Sequence, residues 1–186
     1  MIWWPPETPV LYHGDISLRP ARESDILPIF TACQDPAISR FTTVPSPYQL
    51  SDAEGFIRQI SPQSFANKTE LLFAIAKGHG EADQFCGLIS FHTTNLGYHT
   101  TELGYWIAKE ARSKGIGAAA VRLITDYGFT TMGFRRIEAL VDPENLASRS
   151  LLLSAGYSLE GIMRNKVTRR DGEQKDMDLF AKVDSE

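Results

Sequence analysis

The sequence predicts one mixed α/β domain built on a central, mostly antiparallel sheet. Three observations carry that expectation. Three strand patterns follow one another between about residues 71 and 108, separated only by polar or glycine-rich turns, which reads as an antiparallel meander. A long amphipathic helix then leads into a further strand, and such a β-α-β step implies a parallel pairing. The chain has 186 residues, 42% hydrophobic and 23% charged, which suits a single soluble domain with a sizeable core.

Each element has a local reason. "ISLRPA" (Ile16 to Ala21) reads as a first strand. "RESDILPIFTACQD" opens with Ser24 or Asp25 as a cap and places Ile26, Ile29 and Phe30 at helical spacing. "SDAEGFIRQI" carries a capping box, Ser51 to Glu54, ahead of Phe56, Ile57 and Ile60. The meander strands are "LLFAIA" (Leu71 to Ala76), "FCGLISF" (Phe85 to Phe91) and "TELGYWIA" (Thr101 to Ala108). The long helix runs from about Gly115 to Met132, with Ile116, Ala120, Leu123 and Tyr127 as its apolar face and Gly133 as its stop. "RRIEALV" is the next strand, and Asn145 to Ala155 is a second helix closed by Gly156. "YSLEGIMRN" and "KDMDLFAKV" form a last hairpin across "RRDGEQ". The domain spans residues 11–186. Residues 1–10, "MIWWPPETPV", are an extension, and its two tryptophans beside prolines fit an apolar surface of its own domain or of a second subunit in a homodimer.

Composition narrows the function. Nineteen basic against 23 acidic side chains give a net charge of −4, without the basic excess that nucleic-acid phosphates demand. No apolar run reaches the length of a membrane span, and the first residues lack the basic and apolar regions of an export signal. Cys33 and Cys86 stand alone in apolar surroundings, so buried reduced thiols are expected. His13, His79, His92 and His99 show no metal-binding spacing. The expectation is a cytoplasmic, metal-free protein.

"RSKGIGAAA" (Arg112 to Ala120) poses the chemical question. It reads as G-x-G-x-x-A, a dinucleotide turn, as R-x-x-G-x-G-A, a loop for the pyrophosphate of coenzyme A, or as glycine and alanine that simply open a closely packed helix. The first two place phosphate at a helix N-terminus, where unpaired N–H groups and the macrodipole favour an anion. A dinucleotide turn follows its strand directly, whereas seven residues separate Ile107 from Gly115. Its acid would be Glu138, which falls inside "IEALV" rather than at the end of that strand. The dinucleotide reading fails on context.

"ELGYWIAKEARSKGIGAAAVRLITDYGF" followed by "RRIEALVDPENLASRSLLLSAGY" resembles the two consecutive core motifs of the GNAT superfamily of acetyl-CoA-dependent N-acetyltransferases. "LRPARESD", "ELGYWI", "VDPENLASRS" and "SAGYSLEGIMRN" are similar to the RimJ/RimL-type ribosomal-protein N-terminal acetyltransferases. The resemblance covers about Leu11 to Val183. It implies a GNAT-like sheet with a parallel, splayed strand pair at the cofactor site. It also implies acetyl-CoA as co-substrate, no metal, and an amine acceptor such as a protein N-terminus.

The same resemblance assigns roles. Backbone N–H groups of Arg112, Ser113, Lys114, Gly115, Ile116, Gly117 and Ala118 surround the pyrophosphate, with added charge from Arg112 and Lys114. Tyr105, Trp106 and Ile107 offer main-chain groups to pantetheine and acetyl from a strand that bulges, and Gly104 fits a bulge or a close approach. The Tyr105 and Trp106 side chains are either core aromatics or substrate contacts. Asn145 bonds the pantetheine arm, caps its helix, or both. Many members carry a tyrosine four residues before the glycine that closes the second helix, as acid for the leaving thiolate. Here that position is Leu152. In the RimJ/RimL-type pattern the task falls to the N-x-x-S serine, Ser148, whose plain reading is a small first-turn residue. Glu102 is either a base acting through water or a solvated strand carboxylate, and Glu160 is the one acid at the start of the strand after the second helix. An α-amine, with a pKa of about 7.7–8.0 against about 10.4 for lysine, asks little of a base. The competing readings are acetylation of a small amine such as a polyamine or an aminoglycoside, and a non-catalytic module that binds acyl-CoA or a partner.

Overall fold

The computed structural model describes residues 2–169 and 172–184. Its first strand is additional to the expected set. β1 (Leu11–His13) pairs antiparallel with β2 (Ile16–Arg19) across a turn in which Gly14 takes φ 60°. β2 stops at Arg19 rather than Ala21 because Pro20 has no N–H for the ladder. A 3-10 turn at Glu23–Asp25 precedes α1 (Ile26–Ala32); Asp25 holds the N-cap position, but its side chain makes no capping bond to α1. Instead the Asp25 carboxylate accepts the Arg22 N–H at 2.7 Å. α2 (Pro36–Phe41) is also additional: Asp35 accepts the Ala37 N–H at 3.0 Å and proline takes the first helical position. At α3 (Leu50–Gly55) the reaching acid is Asp52, which accepts the Gln49 N–H at 2.7 Å, in place of a Ser51–Glu54 box. A π turn at Phe56–Ile60 carries the chain into α4 (Ser61–Ala66).

β3 (Leu71–Lys77), β4 (Gln84–Asn95) and β5 (Thr100–Ile107) form the antiparallel meander. α5 (Ile116–Tyr127) continues through a π turn at Gly128–Met132 and stops at Gly133, φ 82°. β6 (Arg136–Val141), α6 (Leu146–Ser154), β7 (Ser158–Thr168) and β8 (Gln174–Val183) complete the order. Arg170 and Asp171 of the "RRDGEQ" turn lie outside the described residues. The eight-stranded sheet runs β1-β2-β3-β4-β5-β6-β8-β7, and among the described residues β5 and β6 are its parallel pair. The β5–α5–β6 step therefore gives the parallel pairing. The β6–α6–β7 step does not, because β8 lies between those strands.

The sheet separates two cores. Alternation along β3 sends Leu71, Phe73 and Ile75 toward Ile116, Ala120 and Ile124 of α5 and Leu152 of α6. Leu72 and Ala74 go to the other face, with Ile26, Ile29, Ala53 and Ile57. The buried stripe of α5 is Ile116, Ala120, Val121 and Ile124, with Leu123 and Tyr127 at its margin. The N-terminal extension lies on its own domain. The Trp3 N–H donates to the Met132 carbonyl at 2.9 Å, and the Trp4 ring packs 5.9 Å from Phe65. Cys33 and Cys86 are buried free thiols, and burial pushes Cys33 up to about 11, away from thiolate. Among the described residues no helix is long and apolar enough to cross a membrane.

Candidate active site

The parallel pair supplies a gap. β5 and β6 stay in register over Thr100–Glu102 opposite Arg136–Glu138 and then part. Beyond that point β5 keeps β4 as its partner to Ile107, and β6 keeps β8 to Val141. The β6-facing main-chain groups of the segment from Leu103 to Ile107 are thus free of a ladder. The expected bulge is not on this strand: the β4–β5 register is unbroken from Gly87–Ile107 to His92–Glu102, and it shifts on the β4 side between His92 and Asn95, where Thr93 takes φ 50°. Gly104 instead permits close approach, since a Cβ there would sit 2.7 Å from His92 Nε2.

The gap leads to the glycine loop. After a 3-10 turn at Lys109–Ala111, Ser113 (φ 60°) and Gly115 (φ 76°) turn the chain into α5. The first α5 hydrogen bond runs from the Ala119 N–H to the Gly115 carbonyl at 3.0 Å, so the N–H groups of Ile116, Gly117 and Ala118 precede the ladder and face outward along the axis. Ser113, Lys114 and Gly115 are exposed. Lys114 and Gly115 also line a cavity of about 350 Å³ with His13, Asp15 and Lys77. This arrangement suits an anion.

Two loop residues turn inward. The Arg112 N–H donates to the Lys109 carbonyl at 3.3 Å, and its guanidinium donates to the Ile107 carbonyl at 2.9 Å and pairs with Asp35 at 2.7 Å. Arg112 thereby clamps the loop to the end of β5 and the start of α2. Burial alone would raise the Asp35 carboxyl, but the Ala37 N–H, Arg112 and Lys109 together hold it below its ordinary value. Gly117 packs: a Cβ there would stand 2.7 Å from Leu151 Cδ1 and 3.3 Å from Ile107 Cγ1. A glutamate at 117 would disrupt α5–α6 packing before meeting a phosphate, so Lys114 is the better probe of the loop. Lys114→Glu is expected to weaken coenzyme A about tenfold at low ionic strength and less at high, because an exposed charge is screened. Calorimetric titration at two salt concentrations measures this, and an unchanged affinity at low salt would remove the loop from the site.

α6 brings the remaining polar groups. Asn145 is its N-cap, with Oδ1 accepting the Ser148 N–H at 3.1 Å, which leaves its amide NH₂ for another partner. The Ser148 hydroxyl lies 2.7 Å from the Tyr105 hydroxyl. One turn further, Leu152 is fully buried in the core. Burial pushes the Tyr105 phenol up to about 12, against a downward pull from the Ser148 hydrogen bond. Sequence spacing gives no sign of this contact across 43 positions.

Glu102 sits elsewhere. Alternation along β5 sends Leu103 and Tyr105 toward α5 and α6, while Trp106 packs 5.9 Å from Phe85 in the other core. Glu102 shares the face of Trp106. Its Oε1 lies 4.0 Å from Nε2 of His92, directly across the hairpin, and both side chains are partly exposed. Glu138 is in register with Glu102 but is bound by Arg136 at 2.6 Å, and Arg136 also binds Glu160 at 2.5 Å. Glu160 is thus held in an ion pair below its ordinary pKa. The site's two halves therefore lie on opposite faces of one strand: Ser148 with Tyr105 on one, Glu102 with His92 on the other. His92 was not legible as part of this set.

Residues 15–158 match the family described as Acetyltransferase (GNAT) domain. The chain is 28% identical over 155 residues to the uncharacterized N-acetyltransferase p20 of Bacillus licheniformis, spanning 83% of this chain and 85% of that protein. Mycobacterium smegmatis RimJ in complex with CoA-disulfide has a similar structure, with a TM-score of 0.79 at 24% identity over 90% of this chain and 81% of that one. So has spermidine N-acetyltransferase from Vibrio cholerae in complex with CoA and spermine, with a TM-score of 0.76 at 19% identity over 92% and 96%. At these identities the two structures speak to the fold.

Proposed function

The chain belongs to the GNAT acetyltransferase family, and from that premise we propose that it transfers the acetyl group of acetyl-CoA to an α-amine at the N-terminus of a protein or peptide. One observation carries the reading. The gap between β5 and β6 opens on the Glu102 face and on the Ser148 face, so an amine can arrive on one side while a thiolate leaves on the other.

The residues divide the work accordingly. Unpaired N–H groups from Ser113 to Ala118 hold the pyrophosphate, Lys114 adds charge, and Arg112 keeps the loop in place through Asp35. The Asn145 amide takes the pantetheine arm while its carbonyl caps α6. Main-chain groups of Tyr105 line the gap, whereas those of Trp106 turn to β4, and the Tyr105 N–H meets the acetyl oxygen as negative charge develops on it. Glu102 accepts the amine proton directly or through water, with His92 beside it. The nitrogen forms its bond to the acetyl carbon, the C–S bond breaks, and the departing sulfur takes the Ser148 proton. Solvent restores that proton to the serine as Glu102 returns the amine proton to solvent.

The basic side of this site is modest. Glu138 and Glu160 are tied to Arg136, which leaves Glu102 and His92 to receive a proton. That suits an α-amine, already partly neutral near pH 7, better than an amine with a pKa near 10. A polyamine acceptor is the second reading, favoured by the likeness to the V. cholerae spermidine enzyme. Incubation with acetyl-CoA and a mixed panel of peptides and polyamines, followed by mass spectrometry, separates them. Mass gained on peptide N-termini supports the first reading, and mass gained by polyamines alone overturns it.

A further inference from the structure

The leaving-group side holds a hydroxyl, that of Tyr105, to which no motif gives a role. We propose that Tyr105 positions Ser148, its phenol donating to Oγ so that the serine's own hydrogen is released toward the sulfur of coenzyme A. The proposal rests on the role given to Ser148 above.

The argument is one of hydrogen counting. The Ser148 hydroxyl has one hydrogen and two lone pairs. Were that hydrogen given to Tyr105, none would remain for a thiolate. Either hydroxyl could donate in the 2.7 Å contact. Burial pushes the phenol up to about 12, so it keeps a hydrogen to give, and with the phenol as donor the serine's own hydrogen stays free. The phenol's other acceptor, the Ser148 carbonyl, is more distant at 3.5 Å. Asn145 already fixes the Ser148 N–H, so backbone and hydroxyl are each held by one partner. Donation from Tyr105 also polarises the Ser148 O–H and strengthens what it can give. The second helix has no donor one turn on, where Leu152 is sealed in the core. The strand supplies the phenol that the helix lacks.

The test is a double-mutant cycle on kcat and on the acetyl-CoA KM. Tyr105→Phe keeps the ring and its packing and removes one hydroxyl. The expected result is a kcat about three- to tenfold lower with KM little changed, the size of one hydrogen bond realised in the transition state. In a Ser148→Ala background the same substitution is expected to change kcat less than twofold, because the group it positions is gone. An equal loss in both backgrounds would overturn the proposal by showing that Tyr105 acts independently. A full kcat in Tyr105→Phe, with Ser148→Ala impaired, would overturn it while leaving Ser148 its role. A full kcat in Ser148→Ala would overturn both.

Discussion

Ser148→Ala is expected to lower kcat by about 10²–10⁴-fold while the acetyl-CoA KM stays near its starting value, the range that a group acting on proton position typically contributes. The structure narrows how that loss is measured. Ser148 is only partly buried and its N–H is held by Asn145, so alanine leaves the cap and α6 intact. A fall in kcat is then a statement about the hydroxyl rather than about folding. The core position of Leu152 bears on rescue. A tyrosine there would have to enter a fully packed site, and overpacking of that kind typically costs about 1–3 kcal/mol. Leu152→Tyr in the alanine background is therefore expected to lower stability and to restore little activity. The check is steady-state kinetics on the alanine enzyme under conditions where chemistry limits turnover. A kcat within threefold of the starting enzyme would make Ser148 a packing residue and assign the sulfur's proton to solvent.

Legibility followed length and locality. α5 was readable because twelve residues repeat one apolar stripe between Gly115 and Gly133, both of which adopt left-handed φ. α2 is six residues long and β1 three, too short for a period to register. Their signals are a single Asp-Pro pair and a strand partner, and the partner exists only after folding. The misread box at Ser51–Glu54 has a similar cause. Two acids stand close together there, and the one that reaches back, Asp52, is selected by where α3 starts. In the site, the loop could be read because its residues are contiguous. Tyr105 with Ser148, and His92 with Glu102, meet through the β5–α6 contact and the hairpin register, so their chemistry had no local trace. Arg112 shows the opposite failure: its motif position is plain, yet its side chain serves Asp35 and the Ile107 carbonyl.

The largest expected effect on stability comes from Arg19. Its guanidinium is buried between two carboxylates, bonding Asp25 at 2.7 and 2.9 Å and Asp83 at 2.7 and 2.9 Å. Burial works against its charge, but the bonds to Asp25 and Asp83 outweigh it and hold the guanidinium protonated. The cluster ties the end of β2 to the turn before α1 and to Asp83 in the β3–β4 connection, so it sets where α1 begins against the sheet. Arg19→Met would leave two carboxylates only 3% exposed without this cation. Stranding one charge of a buried pair typically costs about 3–5 kcal/mol. For a chain of this size that corresponds to a fall in Tm of roughly 6–20 °C. Neutralising the carboxylates as well, with Asp25→Asn and Asp83→Asn in the Arg19→Met background, is expected to recover part of the loss, because the penalty lies in unpaired charge rather than in lost packing. Thermal melts of the single and triple variants decide it. A single variant that melts within about 2 °C of the parent would mean that water already reaches these carboxylates and that the start of α1 is held by its apolar contacts alone.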